Sequence, residues 1–170
     1  MNLSISVSSV EGRGSCFSIT LPYADTKNQK TKPVPAPLID RFNDKLEGAR
    51  ILLIDNDEEI CKGMETVLGS WNCNVTSVQT LEELNEPEFL TELDPQLIIA
   101  DYHLDDGDTG FDALAITREH LTPHPPVIMI TANYTNELRQ QVREQGYSLL
   151  NKPVKPHKMK LALSNLLSSQ

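Results

Sequence analysis

Apolar and polar positions along the 170 residues change period twice, and each change marks a different kind of segment. At the start, Leu3, Ile5 and Val7 alternate with Ser4, Ser6 and Ser8, and Phe17, Ile19 and Leu21 alternate with Cys16, Ser18 and Thr20. The glycine-bearing turn Glu11-Gly12-Arg13-Gly14-Ser15 lies between them. A period of two on both sides of a glycine turn predicts a two-stranded hairpin over residues 1–24 with one face to bury. Two strands alone are marginal in water, so this piece needs a partner surface. Residues 25–37, DTKNQKTKPVPAP, are polar and proline-rich and read as a semi-extended linker. Leu38, Ile39, Phe42 and Leu46 then fall on one helical face before Gly48, predicting a short amphipathic helix that completes a linker over 25–48.

From residue 49 to the end, strand and helix patterns alternate. Ile51–Ile54, Leu97–Ala100 and Val127–Ile130 are short, continuous apolar runs rich in β-branched residues, suited to strands buried on both faces of a parallel sheet. Asn74–Val78 and Tyr147–Leu150 complete five strands. Between them Ile60, Met64, Val67, Leu68 and Trp71 recur at helical spacing, as do Leu138 with Val142 and Met159, Leu163, Leu166 and Leu167. Leu114 and its neighbours form another stripe, and residues 81–93 read as a helix interrupted by Pro87. Five β/α units predict an α/β fold, a doubly wound parallel sheet with right-handed crossovers.

Composition adds limits. Apolar content of 39% and charged content of 23% are ordinary for a globular chain, and a domain of about 120 residues buries a core without staples. A net charge of −9 disfavours nucleic acid and anionic membranes as partners and suits a cationic ligand. Cys16, Cys61 and Cys73 are odd in number and follow no metal spacing, which reads as free thiols in a reducing compartment. No stretch approaches the roughly 20 apolar residues of a membrane span. Residues 1–4, MNLS, lack the basic and apolar regions of a signal peptide, so a cytoplasmic location is expected.

In an open parallel sheet, ligands bind beyond the carboxyl ends of the strands, near the point where strand order reverses. The first sheet strand ends in Asp55-Asn56-Asp57, the third in Asp101, the fourth in Thr131, and the fifth runs into Lys152-Pro153. Taken singly, Asn56, Asp57 and Thr131 suit helix caps and Lys152 suits a surface position. Taken together, they put carboxylates, a hydroxyl and an ammonium at one edge of the sheet. Mutually repelling carboxylates call for a counter-charge, and oxygen ligands with room for water point to Mg²⁺. A metal, a lysine and a hydroxyl around one carboxylate can neutralise a transferring phosphoryl group, with the carboxylate as nucleophile.

The run Ile51-Leu52-Leu53-Ile54-Asp55-Asn56-Asp57-Glu58-Glu59-Ile60 resembles the opening strand and acidic pair of two-component receiver domains. Ile98-Ile99-Ala100-Asp101-Tyr102-His103-Leu104 with Gly107 and Gly110 resembles their phosphorylation strand and following loop. Val127–Thr131 with Ala132, and Leu150-Asn151-Lys152-Pro153-Val154, resemble the hydroxyl strand and the lysine–proline turn. Four blocks in family order over 49–168 imply the flavodoxin-like (βα)5 sheet of order 2-1-3-4-5. The resemblance implies Asp101 as phosphoacceptor, with Thr131 and Lys152 contacting the phosphoryl group. It also implies that Asp55, Asn56, Asp101 and the backbone carbonyl of His103 hold Mg²⁺. The implied partners are a phosphohistidine domain of a histidine kinase or a histidine phosphotransfer protein, and a cis Lys152–Pro153 bond is expected.

Two positions depart from the family pattern. Asn56 stands where a second carboxylate is usual, so weaker metal affinity is expected. Leu149 replaces the frequent switch aromatic, which puts output through an aromatic flip in question. The segment from Glu11 to Pro22 resembles the closing hairpin of a histidine-kinase ATP-binding domain. With the upstream asparagine and glycine boxes absent, this chain is expected neither to bind ATP nor to autophosphorylate. It reads as the C-terminal part of a hybrid sensor kinase, with homodimerisation through the hairpin or residues 38–46 left open. His120 and His124 have a zinc-like spacing, but the surrounding prolines argue against a shared helical face. Two other readings remain: a receiver-fold binding module with little phosphorylation, and an aspartyl-phosphate hydrolase using the Asp55-x-Asp57 spacing.

Overall fold

The computed structural model describes residues 4–10, 12, 14–20 and 45–168. They fall into two units, each described by itself. The smaller is an antiparallel hairpin of β1 (Ser4–Val10) and β2 (Gly14–Thr20). Its register sets Ile5 opposite Ile19 and Val7 opposite Phe17, so the alternation puts four apolar side chains on one face. That face is exposed, Phe17 at 73% and Ile5 at 69%. On the same face beside the turn, Ser9 and Ser15 share a hydroxyl hydrogen bond of 2.7 Å.

The larger unit is a five-stranded parallel sheet of β3 (Arg50–Ile54), β4 (Asn74–Val78), β5 (Leu97–Asp101), β6 (Val127–Thr131) and β7 (Ser148–Asn151). Its spatial order is β4-β3-β5-β6-β7, which is 2-1-3-4-5 counted from β3, as the resemblance implies. The continuous apolar runs are explained by burial on both faces. Leu52, Ile54, Ile98, Ala100, Val127 and Met129 enter one core, while Ile51, Leu53, Leu97, Ile99, Ile128 and Ile130 enter the other. Because strand side chains alternate, each four-residue run feeds both cores at once.

Helices α1 (Glu58–Gly69) and α6 (Pro156–Leu167) cover one face, contributing Cys61, Leu68, Met159 and Leu163. Helices α2 (Leu81–Leu84), α3 (Pro87–Leu93), α4 (Gly110–His120) and α5 (Asn136–Glu144) cover the other, through Leu84, Leu90, Ala113, Leu114, Leu138 and Val142. The chain steps from β3 out to β4, then jumps back past β3 to β5 and proceeds the other way. The reversal between β3 and β5 opens the crevice in which such sheets bind ligands.

The single interrupted helix expected over 81–93 is two helices. Thr80 and Glu83 form a capping box for α2, and Pro87 sits in the first turn of α3, where its missing N–H costs nothing. Strand β7 starts one residue later than the pattern placed it. Of the short helix expected before Gly48, the described part is residues 45 and 46. There Leu46 is wholly buried in the core beneath α1 and α6; residues 38–44 and the proline-rich segment lie outside the described residues. Among the described residues, no helix is long and apolar enough to cross a membrane.

Candidate functional site

The reversal point carries two acidic side chains by construction of the register. Ile54 pairs with Ala100 across β3 and β5, so the residues that follow, Asp55 and Asp101, emerge side by side at the carboxyl edge. Both are buried, Asp55 at 3% and Asp101 at 6% exposure. Asp55 Oδ1 accepts the N–H of Asp57 at 3.0 Å, and Asp101 Oδ1 accepts the N–H of Tyr102 at 2.9 Å. The other oxygen of each carboxylate accepts from Lys152 Nζ, at 3.2 Å for Asp55 and 2.9 Å for Asp101. Lys152 reaches them from the turn after β7, in which the Lys152–Pro153 bond is cis as expected; Thr122–Pro123, unanticipated, is cis too.

Burial raises the Asp55 carboxyl above its ordinary value, against the Asp57 N–H and the Lys152 charge that pull it down, while the Asp101 charge adds to the rise. Burial alone would lower the Lys152 ammonium, but the hydrogen bond to Asp101 and the charges of both carboxylates outweigh it and hold it above the usual lysine value. The two groups agree on one physical fact. A single ammonium does not fully compensate two desolvated carboxylates, and the crevice favours additional positive charge.

Thr131 ends β6 and is fully buried; its hydroxyl donates to the carbonyl of Asn133 and accepts that residue's N–H, both at 3.1 Å. The N–H of Lys152 donates to the Thr131 carbonyl at 2.8 Å, tying the lysine turn to this strand end. The structure thus brings Asp55, Asp101 and Lys152 into direct contact and keeps the Thr131 hydroxyl on its own loop. Asn56 is half-buried, its Nδ2 donating to Asp105 Oδ1 at 2.6 Å. His103 forms a backbone bridge with Thr109, and its exposed ring lies 3.3 Å, Nε2 to Nδ2, from Asn133. Asp57 caps α1, its carboxylate accepting the N–H groups of Glu59 at 2.9 Å and Ile60 at 3.2 Å.

Residues given no role in the chemistry by the sequence pattern also shape the crevice. The N–H of Gly110 donates to Tyr102 O at 2.9 Å, and a Cβ on Gly110 would collide with the Asp101 carbonyl oxygen. The position therefore requires glycine for close approach. Cys61 Sγ donates to Asp55 O at 3.2 Å, and burial pushes its thiol up to about 11, which makes it an inert packing residue. All three cysteines are unpaired, as their number implied. Asp105 lies 49 positions from Asn56, and no spacing rule links them.

The chain matches the response regulator receiver domain family over residues 51–164. It belongs to that family. Among solved structures, the signal receiver domain of a putative LuxO repressor protein from Vibrio parahaemolyticus is 24% identical, with a TM-score of 0.62 over 72% of this chain and 92% of that one. The Vibrio cholerae chemotaxis protein CheY4 is 21% identical, with a TM-score of 0.61 over 70% of this chain and 98% of that one. A CheY-like receiver domain protein from Methanospirillum hungatei JF-1 is 23% identical with a TM-score of 0.60, over 72% and 96% of the two chains. At these identities the likeness carries the fold. No curated protein matches. Receivers of this family accept phosphoryl groups from histidine kinases or phosphotransfer proteins and bind Mg²⁺ at the acidic pocket.

The donors present suit that ion. Among the described residues, no three His, Cys, Asp or Glu side chains cluster to hold a metal, and the carboxylates brought together at the crevice are those of Asp55 and Asp101. Mg²⁺ binds through one or two carboxylates and keeps several waters, and every donor here is a hard oxygen. Two carboxylates facing one ammonium in the crevice are the electrostatic counterpart.

Proposed function

We propose that this receiver takes a phosphoryl group onto Asp101 from a phosphohistidine. The observation that carries the reading is the pair of buried carboxylates at the sheet reversal, bridged by one lysine. A carboxylate oxygen of Asp101 attacks phosphorus, the P–O bond forms as the donor's P–N bond breaks, and the imidazole nitrogen keeps the electron pair. Lys152 exchanges its bond to Asp101 for one to a phosphoryl oxygen, so its charge follows the negative charge as it moves. Thr131 exchanges the bond its hydroxyl donates to Asn133 for one to another phosphoryl oxygen. Asp55, Asn56, Asp101 and the His103 carbonyl would hold Mg²⁺, which when bound supplies positive charge to the phosphoryl oxygens.

The same reading extends to the parent protein. The GxGSxF-x-I-x-LP pattern of residues 12–22 before a proline-rich segment and a receiver supports a hybrid sensor kinase, in which this receiver is the C-terminal relay station. The position of Leu149, packed at the edge of the core in place of an aromatic, suits a domain that passes phosphate along. The hydrolase reading loses its support, because Asp57 spends its carboxylate on the α1 N-terminus.

The test is intact-mass analysis after incubation with Mg²⁺ and acetyl phosphate. Wild type is expected to gain one labile, hydroxylamine-sensitive phosphate, as an acyl phosphate is, that Asp101→Asn does not. No gain in wild type would overturn the reading in favour of a binding module, and sustained turnover of phosphate esters would favour a hydrolase.

A further inference from the structure

The contact between Asn56 and Asp105 bears on how a receiver with an amide at its second acidic position still presents oxygen to a cation. We propose that Asp105 is a positioning residue for the metal site: by holding the Asn56 amide nitrogen, it fixes the amide oxygen on the side available to Mg²⁺. The inference rests on the reading of the crevice as a Mg²⁺-dependent phosphoacceptor site.

An asparagine amide has two ends of nearly equal size, and only the oxygen end binds a hard cation. Left alone, the group can sit either way. An ionised carboxylate only accepts hydrogen bonds, so Asp105 distinguishes the two. The observed orientation makes a short bond of 2.6 Å from Asn56 Nδ2 to Asp105 Oδ1. The reversed orientation would set oxygen against a charged oxygen.

Asp105 is itself held. Its backbone carbonyl accepts the N–H of Asp108 at 3.0 Å, Leu104 N–H donates to Asp108 O at 3.2 Å, and the His103–Thr109 bridge closes the loop. The loop starts at Asp101 and ends at Gly110, whose N–H is bonded to Tyr102 O, so the carboxylate is tied to the phosphoacceptor strand at both ends. The arrangement also returns a negative charge to the neighbourhood from which the substitution of asparagine for aspartate removed one, now in an outer position. Groups of that kind orient ligands and raise affinity without touching the metal.

The pairing makes a sign-specific prediction. With Asn56 present, Asp105 orients; with an aspartate at 56, both ends are oxygens, nothing needs orienting, and Asp105 only repels. The Mg²⁺ affinity of the unphosphorylated full chain can be followed by NMR through the amides of Asp57 and Tyr102, which donate to the two site carboxylates. Asp105→Ala is expected to weaken Mg²⁺ binding about 10-fold. In an Asn56→Asp background the same substitution is expected to leave affinity unchanged or improve it. An equal loss in both backgrounds would overturn orientation in favour of charge alone, and no loss in the Asn56 background would overturn the role altogether. Asp105 is exposed, so the variant is expected to melt with wild type. Labelling by acetyl phosphate at saturating Mg²⁺ separates the two levels. A labelled wild type whose Mg²⁺ affinity is indifferent to Asp105→Ala sinks this inference alone, whereas an unlabelled wild type sinks the phosphoacceptor reading beneath it.

Discussion

At the scale of single residues, the crevice is governed by two buried carboxylates and the one lysine that bridges them. Asp55 shows the balance most directly, because its folded-state titration lies above the ordinary value of 3.8. Between those two values the folded state holds a proton that the unfolded chain has released, so the unfolded state binds fewer protons and stability falls as pH rises. The contribution of Asp55 to stability is therefore complete below 3.8 and is lost as pH climbs through the raised folded value. Carboxyl ¹³C shifts recorded against pH are expected to show Asp55 titrating above exposed aspartates, and Mg²⁺ is expected to draw that midpoint down. An Asp55 midpoint at or below that of the exposed aspartates would contradict the picture of an under-compensated crevice. The strand-end argument could find Asp55, Asp101 and Lys152, since each follows an apolar run whose end is visible in the sequence. It could not find Asp105, because a hydrogen bond across 49 positions depends on how a loop folds back, and loops have no period to read.

At the scale of elements, a residue's neighbour in sequence decides less than the element it starts or ends. Asp55, Asn56 and Asp57 are consecutive, yet the structure sends them in three directions: Asp55 into the crevice, Asn56 to Asp105, and Asp57 onto the first turn of α1. The sequence left Asp57 open between a cap and a second catalytic carboxylate, and only the N–H partners separate these. Asp57→Ala is expected to cost about 1 kcal/mol of stability, the usual worth of an N-cap carboxylate, while the phosphate label on Asp101 persists. Urea denaturation with mass analysis of the same sample measures both, and loss of the label in a folded Asp57→Ala protein would return Asp57 to the chemistry. The helices were legible where apolar stripes are long, as in α1 and α6. The split between α2 and α3 was visible as Pro87 but not as two elements. A proline inside a pattern and a proline opening a new helix look alike until the first helix is seen to stop at its C-cap Asn85.

At the scale of the whole molecule, the two units differ in what they bury. The sheet β3–β7 fills two cores from both of its faces, and the amides of β3, β5 and β6 lie between other strands with helices above and below. The hairpin has two strands, and Ile5, Val7, Phe17 and Ile19 remain exposed on one of its faces. A two-stranded ribbon with its apolar face uncovered has little beyond its own ladder to hold it, so its opening free energy should be far below that of the sheet. Native-state hydrogen exchange is expected to show β1 and β2 amides exchanging orders of magnitude faster than those of β5. Deleting residues 1–20 is expected to leave both the slow exchange of β5 and the labelling of Asp101 as they were. Protection of β1 and β2 equal to that of β5 in the isolated chain would mean that the apolar face is covered in solution, and the sedimentation velocity of the same sample would show whether a second copy covers it.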